Sequence, residues 1–387
     1  MAIKRFNIHI SHEVLDDLHS RLQNIRWPDQ LVESNWKQGT DLNFLKTLVS
    51  YWRDQYDWRA QESLLNRLSQ YRCEIDGIDV HFVHEHGKGP APLPLILTHG
   101  WPDSYLRYQK VIPLLTDPAN HGGDPKDAFD VIIPSLPGFG FSGRPIHAGV
   151  NNFYVSEMWA KLMTEILGYQ KFAAAGGDIG SGVTRYLASN HPELLVGIHL
   201  TDIGIIRELM AAQDPDKLSE AERQYRKNAA EWISKEGGYM SMQSTRPQTL
   251  AYGLSDSPAG LAAWLIEKFR AWSDCGDDLL KTFDLDELIT HIMIYWVTNT
   301  IASSTRMYYE NANSLPPLGS IQVPAGLALF PADILQPPQE WASRSLNITR
   351  WSPMLRGGHF TALEESEFFA EDIRAFFRPL RTKMNNT

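Results

Sequence analysis

Apolar positions fall at helical spacing in the first stretch of this chain, then at sheet spacing, and thereafter alternate between the two. Val14, Leu15, Leu18 and Leu22 lie on one face of a predicted helix for which Ser11 is the candidate cap. Trp27-Pro28 interrupts that pattern and opens a loop to Gly39, after which helices are predicted from Asp41 to Tyr56 and from Trp58 to Leu68. Glu74 to His86 reads as a hairpin, its apolar residues alternating around Asp76-Gly77. Beyond the Gly/Pro loop 87–94, Leu93 to Thr98 predicts a short buried strand, Tyr105 to Leu115 a helix, and Phe129 to Pro134 the next strand. Val155 to Leu167 places Trp159, Leu162, Met163 and Ile166 on one helical face. A small-residue strand from Phe172, a helix from Val183 to Asn190 and a strand from Leu194 to Leu200 follow. Strands alternating with helices imply a mainly parallel sheet.

The alternation then stops. Between Ile203 and Leu318 only helical patterns occur, at 219–235, 258–272, 284–299 and 300–311, before strands resume at Ala325 to Phe330 and Ile348 to Met354. A last helix is predicted from Glu364 to Phe377. The chain therefore divides into a helical segment 1–73, a first part of the α/β core 74–202, a helical insertion 203–320 and a second part of the core 321–387. Ligands of open α/β sheets bind beyond the carboxyl ends of the strands, so the insertion is expected to lie over the site as a lid.

Composition narrows the partners. Apolar residues make up 43% of the 387 positions, including 12 Trp, 14 Tyr and 16 Phe, enough for a large aromatic core. Against 46 acidic residues stand 36 Lys and Arg, giving a net charge of −10, which disfavours nucleic acid and anionic membrane surfaces as partners. Cys73 and Cys275 are far apart in sequence and form neither a metal-spaced pair nor a disulfide framework. No leader and no run of spanning length is visible, so a cytoplasmic protein without a membrane anchor is expected. A homodimer is compatible with the sequence, though no feature calls for one.

The candidate chemistry gathers at strand ends. Gly176-Gly-Asp-Ile-Gly180 joins a strand to a helix, and small residues there allow a sharp reversal that leaves Asp178 projecting at the tip. Asp178 also fits as a helix N-cap, and the stretch alone does not separate the two readings. Asp333 lies just past one strand and His359 after the last, giving the order nucleophile, acid, histidine, while His99-Gly-Trp-Pro102 follows an earlier strand. Two other patterns are set aside. Gly138, Gly140 and Gly143 match Gly-x-Gly-x-x-Gly, but Arg144-Pro145 follows where a nucleotide site needs a helix. On a strand His84 and His86 share a face and His81 points away, so these three do not converge on a metal.

Taken together, His99-Gly-Trp-Pro102, Gly138-Phe-Gly-Phe-Ser142, Gly176-Gly-Asp-Ile-Gly-Ser181 and Gly357-Gly-His-Phe360 resemble the motifs of epoxide hydrolases of the α/β-hydrolase fold. The branch is that of the microsomal and insect juvenile-hormone enzymes, and the resemblance covers nearly the whole chain, including Arg26-Trp-Pro-Asp29 near the start. It implies an α/β-hydrolase core, a helical lid and an N-terminal helical extension. It also implies Asp178 as nucleophile, His359 with Asp333 as the water-activating pair, and backbone N–H groups of Trp101 and Ile179 as oxyanion hole. Tyr239 in Gly238–Pro247 and Tyr308 in Ser303–Asn311 match the two ring-opening tyrosines; Tyr308 is preferred over Tyr309 by aligning Arg306 and Glu310. No cofactor or metal is implied, and the partner is a small apolar epoxide. Two departures stand out: Ile179 occupies a position often held by tryptophan in relatives, and the anchor helix of the microsomal enzyme is absent.

The chemistry accounts for these residue types. A carboxylate already carries the charge needed to displace oxygen from saturated carbon, and the resulting ester is hydrolysable, whereas a serine would be left as an ether. The alternatives are a haloalkane or haloacid dehalogenase, which would want halide-binding indole N–H groups beside the nucleophile, and a non-catalytic binding protein, which would have lost part of the triad.

Overall fold

The computed structural model describes residues 2–204 and 217–384, so the start of the predicted insertion, 205–216, lies outside the described residues. Nine strands make one sheet: β1 (Lys4–Arg5), β2 (Gln70–Ile75), β3 (Ile78–Glu85), β4 (Leu93–Thr98), β5 (Phe129–Pro134), β6 (Phe172–Gly176), β7 (Leu195–Leu200), β8 (Ile321–Leu329) and β9 (Leu346–Pro353). Across the sheet they run β1-β2-β3-β5-β4-β6-β7-β8-β9. The first three strands pair antiparallel, as do β3 and β5. Every pairing from β5 to β9 is parallel. Strands covered by helices on both faces read as continuous apolar runs, and Leu95, Ile96, Leu97, Val131, Ile132 and Ile133 are accordingly buried.

Most predicted elements are present with shifted ends. The hairpin begins earlier than expected, at Gln70, and β1 is too short to show any periodicity. Tyr105 to Leu115 is not one helix: a 3₁₀ turn (Tyr105–Tyr108) leads into a helix (Ile112–Thr116) with Pro113 in its first turn, where a missing N–H is harmless. The helix expected from Val155 starts at Asn152, because the Asn151 side chain accepts the Tyr154 N–H at 3.0 Å and fixes the N-terminus there. Its last turn, Leu162–Ile166, widens to a π-helix. Between β7 and β8 the described residues form helices at Glu220–Glu236, Gly238–Thr245, Pro247–Asp256, Pro258–Trp272, Leu285–Thr298 and Ile301–Ser314. Of these, Gly238–Thr245 and Pro247–Asp256 are not among the predicted helices; the first carries a weak apolar stripe and the second is only ten residues long.

The N-terminal helices His12–Gln23, Leu42–Asp54 and Trp58–Leu65 pack on this insertion. Arg21 pairs with Asp256 at 2.7 Å, Tyr51 donates to Asp286 at 2.9 Å, and the Trp52 indole reaches the Met293 sulfur at 3.3 Å. Trp52 and Trp58 are buried, and Trp27 and Trp36 are half-buried against the same core. Among the described residues, no helix is long and apolar enough to cross a membrane.

At the far edge, the helix Ser366–Met384 lies over β7 and β8 and is fastened by a buried ion network. Asp372 receives His199 Nε2 at 2.8 Å and Arg350 Nε at 2.7 Å. Burial alone would raise the Asp372 pKa, but hydrogen bonds from His199 and Arg350 outweigh it and hold it at about 2. Since that lies below an unfolded value of about 3.9, the contribution is full above roughly pH 4 and is lost as pH falls through about 2. Asp372→Ala is expected to destabilise the protein by about 3 kcal/mol at pH 7, because His199 is left buried without its carboxylate. Urea titration of both proteins at pH 7 checks this; a difference below about 1 kcal/mol would contradict it.

Candidate active site

The turn after β6 is built around a backbone conformation that side chains rarely accept. Asp178 has φ 57° and ψ −125°, and its neighbours are glycines because the reversal leaves no room: a Cβ on Gly180 would collide with the Thr98 carbonyl. Asp178 stands at the N-cap position of the helix Ile179–Asn190, yet its side chain makes no capping bond. Instead Oδ1 accepts the Trp101 N–H at 2.8 Å, and the Ile179 N–H adds its pull on the same carboxylate. The cap reading therefore fails, and the projecting-tip reading fits.

The His99-Gly-Trp-Pro loop that delivers the Trp101 N–H is itself held from behind. Leu136 N–H donates to His99 Nε2 at 3.1 Å, which leaves the His99 Nδ1–H to donate to the Gly100 carbonyl at 2.9 Å. Burial keeps His99 neutral by pushing its pKa down. Asp103 accepts the Gly100 N–H at 3.0 Å and pairs with the buried Arg107, while Tyr295 donates to the Asp103 carbonyl at 2.7 Å. Gly100 has no alternative here, since a Cβ would run into the Asp178 carboxylate.

His359 arrives from the loop after β9. Its Nδ1 lies 2.7 Å from Asp333 Oδ1 and its Nε2 3.5 Å from Asp178 Oδ2. Burial would lower the His359 pKa, but Asp333 and Asp178 on either side outweigh burial and raise it to about 10. The partner effect appears on Asp178: burial would raise its pKa, yet His359 and the two backbone N–H groups bring it below the usual carboxylate value. The resting site thus sets the Asp178 carboxylate, 16% exposed, against a buried His359 ring whose charged form both carboxylates favour.

Tyr239 and Tyr308 descend from the helices Gly238–Thr245 and Ile301–Ser314. The Tyr239 ring stacks on Trp101 at 5.4 Å with 5° between planes, and Tyr308 meets both rings edge-on at 5.7 and 5.9 Å. Burial, reinforced by Asp178, raises both phenol pKa values, so both keep their protons. Tyr309, the neighbour passed over in sequence, is 40% exposed.

Several residues that brace the site were not singled out in sequence. Asp202, at the end of β7, accepts the Asp178 N–H at 2.6 Å; burial, with Asp333 adding to it, raises its pKa to about 6. Glu364 ties the histidine loop by accepting N–H groups from Asp274, Gly358 and Phe360 at 2.7, 2.9 and 2.8 Å. Trp272 accepts the His359 N–H at 2.7 Å and packs on Tyr239. The place of Asp202 at a strand end is the one signal in the sequence; Trp272 acts across a long sequence separation, and Glu364 joins its own loop to Asp274.

The set-aside motifs behave as isolated features. The loop through Gly138 and Gly140 turns on positive φ values of 81° and 49°, with the next helix starting only at Asn152. His81 is buried between Ser135 and Gln70, apart from His84 and His86. Among the described residues a different trio, His84, His86 and Asp130, converges within 4.8 Å. It sits at the start of β5, at the opposite end of the sheet from Asp178, and Asp130 and His84 are already hydrogen-bonded through Tyr169.

Known proteins with this arrangement agree on one family. Residues 3–108 match the epoxide hydrolase N terminus model and residues 94–236 the alpha/beta hydrolase fold model. A Stigmatella aurantiaca protein provisionally named an epoxide hydrolase is 44% identical over 99% of this chain and 86% of its own length. Epoxide hydrolase 1 of Sus scrofa is 38% identical over 97% of this chain and 88% of its own. The crystal structure of juvenile hormone epoxide hydrolase from the silkworm Bombyx mori superimposes with a TM-score of 0.85 at 29% identity, covering 98% of this chain and 94% of that one. With relatives 38–44% identical over 97–99% of this chain and 86–88% of their own length, this chain belongs to the epoxide hydrolases of the α/β-hydrolase fold.

Proposed function

We propose that hydrolysis runs through an ester on Asp178, opened by two tyrosines and released by His359. The observation that carries this reading is the double hold on the Asp178 carboxylate: Trp101 N–H at 2.8 Å on one oxygen and His359 Nε2 at 3.5 Å from the other. That carboxylate is ionised, largely buried and aimed, as a nucleophile must be. In the first step a carboxylate oxygen bonds to an epoxide carbon, the C–O bond breaks, and the departing oxygen takes a proton from the Tyr239–Tyr308 pair. A developing alkoxide in a dry pocket gains most from such placed donors.

The first step also prepares the second. Esterification removes the negative charge from Asp178, so His359 loses one of the two carboxylates that kept it protonated. Its proton passes to the tyrosinate left by ring opening, and the neutral imidazole, oriented by Asp333, can then act as a base and take a proton from a water that attacks the ester carbon. The Trp101 and Ile179 N–H groups hold the oxyanion until the ester collapses to the diol. The helices between β7 and β8 serve as the lid that carries both tyrosines, and the N-terminal helices hold that lid. The rings of Trp101, Tyr239, Trp272 and Tyr308 favour a bulky apolar epoxide, and Ile179 leaves more room than an indole would.

In His359→Gln, intact mass after mixing with an epoxide panel is expected to rise by the mass of one whole epoxide, with the modified peptide containing Asp178. Adding Asp178→Asn removes the adduct. Absence of any adduct sinks the ester mechanism, and an alkyl gain from haloalkanes alone points to dehalogenation. The pH dependence should split the steps. Ring opening stays flat from about pH 5 to 9, since Asp178 is ionised and both tyrosines protonated across that range. Ester hydrolysis falls on acidification as His359 is protonated. Rapid-mixing measurements of both phases across that range test this; a hydrolysis rate without an acid limb rules out His359 as the base.

A further inference from the structure

The helix Pro258–Trp272 places a lysine where lysines are rarely found. Lys268 is 4% exposed, and its ammonium lies 4.7 Å from the centre of the Tyr239 ring and 5.6 Å from that of Trp272. Glu267, on the same helix, pairs with it at 2.5 Å. A compact, strongly hydrated ammonium is costly to bury, and one carboxylate with two π faces is an incomplete substitute for water. A simple packing role would be filled better by methionine or leucine. What the lysine adds is positive charge against the ring of a phenol that faces Asp178.

We propose that Lys268 is a positioning residue for ring opening, which fixes the Tyr239 ring against Trp101 and strengthens its hydroxyl as a proton donor. The attraction between a cation and a ring face holds the phenol plane in register with the stacked indole. The same charge draws electron density from the ring and opposes Glu267, which like burial and Asp178 raises the Tyr239 pKa. No bond to Lys268 forms or breaks; the proton that reaches the epoxide oxygen comes from a tyrosine. The inference rests on the role proposed for Tyr239 above.

Lys268→Met keeps the length and loses the charge, while Lys268→Arg restores the charge. Single-turnover mixing with styrene oxide, followed by tryptophan fluorescence, resolves ester formation from ester hydrolysis. Lys268→Met is expected to slow ester formation about tenfold and leave hydrolysis within about twofold, with Lys268→Arg recovering most of the loss. In a Tyr239→Phe background, the further change Lys268→Met is expected to have almost no effect, since the hydroxyl it acts on is gone. Equal slowing of both steps, or full additivity with Tyr239→Phe, overturns the proposal in favour of a structural role. If Tyr239→Phe itself leaves ester formation unchanged, the ring-opening assignment of Tyr239 falls and takes this inference with it. If Tyr239→Phe slows ester formation and Lys268→Met does not, only the Lys268 inference falls.

Discussion

A carboxylate withdrawn from water has to be matched by donors or it will take up a proton. That constraint organises the molecule. Asp178 stays ionised because the Trp101 N–H, the Ile179 N–H and the His359 imidazolium surround it. Each of those has its own support: the His99-Gly-Trp-Pro loop is held by Asp103 and Arg107, and the histidine loop by Asp333 and Glu364. The strained backbone at Asp178 persists for the same reason, fixed by the Asp202 carboxylate on its N–H and by glycines that admit the turn. Take away the charge at the centre and the surrounding arrangement has no purpose.

The parts of this site that were legible in sequence are those whose chemistry is written locally. The Gly-Gly-Asp-Ile-Gly turn announces its geometry through the absence of side chains, and parallel strands announce themselves as unbroken apolar runs. Asp333 and His359 were found because strand ends in order carry positional meaning. Tyr239 and Tyr308 rest on family resemblance; the helix of Tyr239 shows little periodicity, and either tyrosine reads equally well as packing. Asp202, Trp272 and Lys268 escape a reading of spacing because they act on distant positions or through the face of a ring, while Glu364 joins the local N–H groups of Gly358 and Phe360 to that of the distant Asp274. His81 points away from His84 and His86, and Asp130 of the neighbouring strand, which no spacing links to them, meets them instead.

The helical elements outside the sheet share a logic. The insertion between β7 and β8 carries two of the five side chains proposed to do chemistry, one of them on the eight-residue helix Gly238–Thr245. A helix that short depends on what covers it. The N-terminal helices pack on neighbouring helices of the same insertion, Trp52 and Tyr51 on Leu285–Thr298 and Arg21 on Pro247–Asp256.

The two phenols have a selective consequence under the proposed mechanism. Burial beside Asp178 keeps both protonated, so two O–H donors stand ready for an acceptor. An epoxide offers a lone pair at that point; an alkene of the same outline offers none, and would bury the donors without a partner. Two donors so placed would key recognition to a single atom and leave the surrounding rings free to be generous about shape.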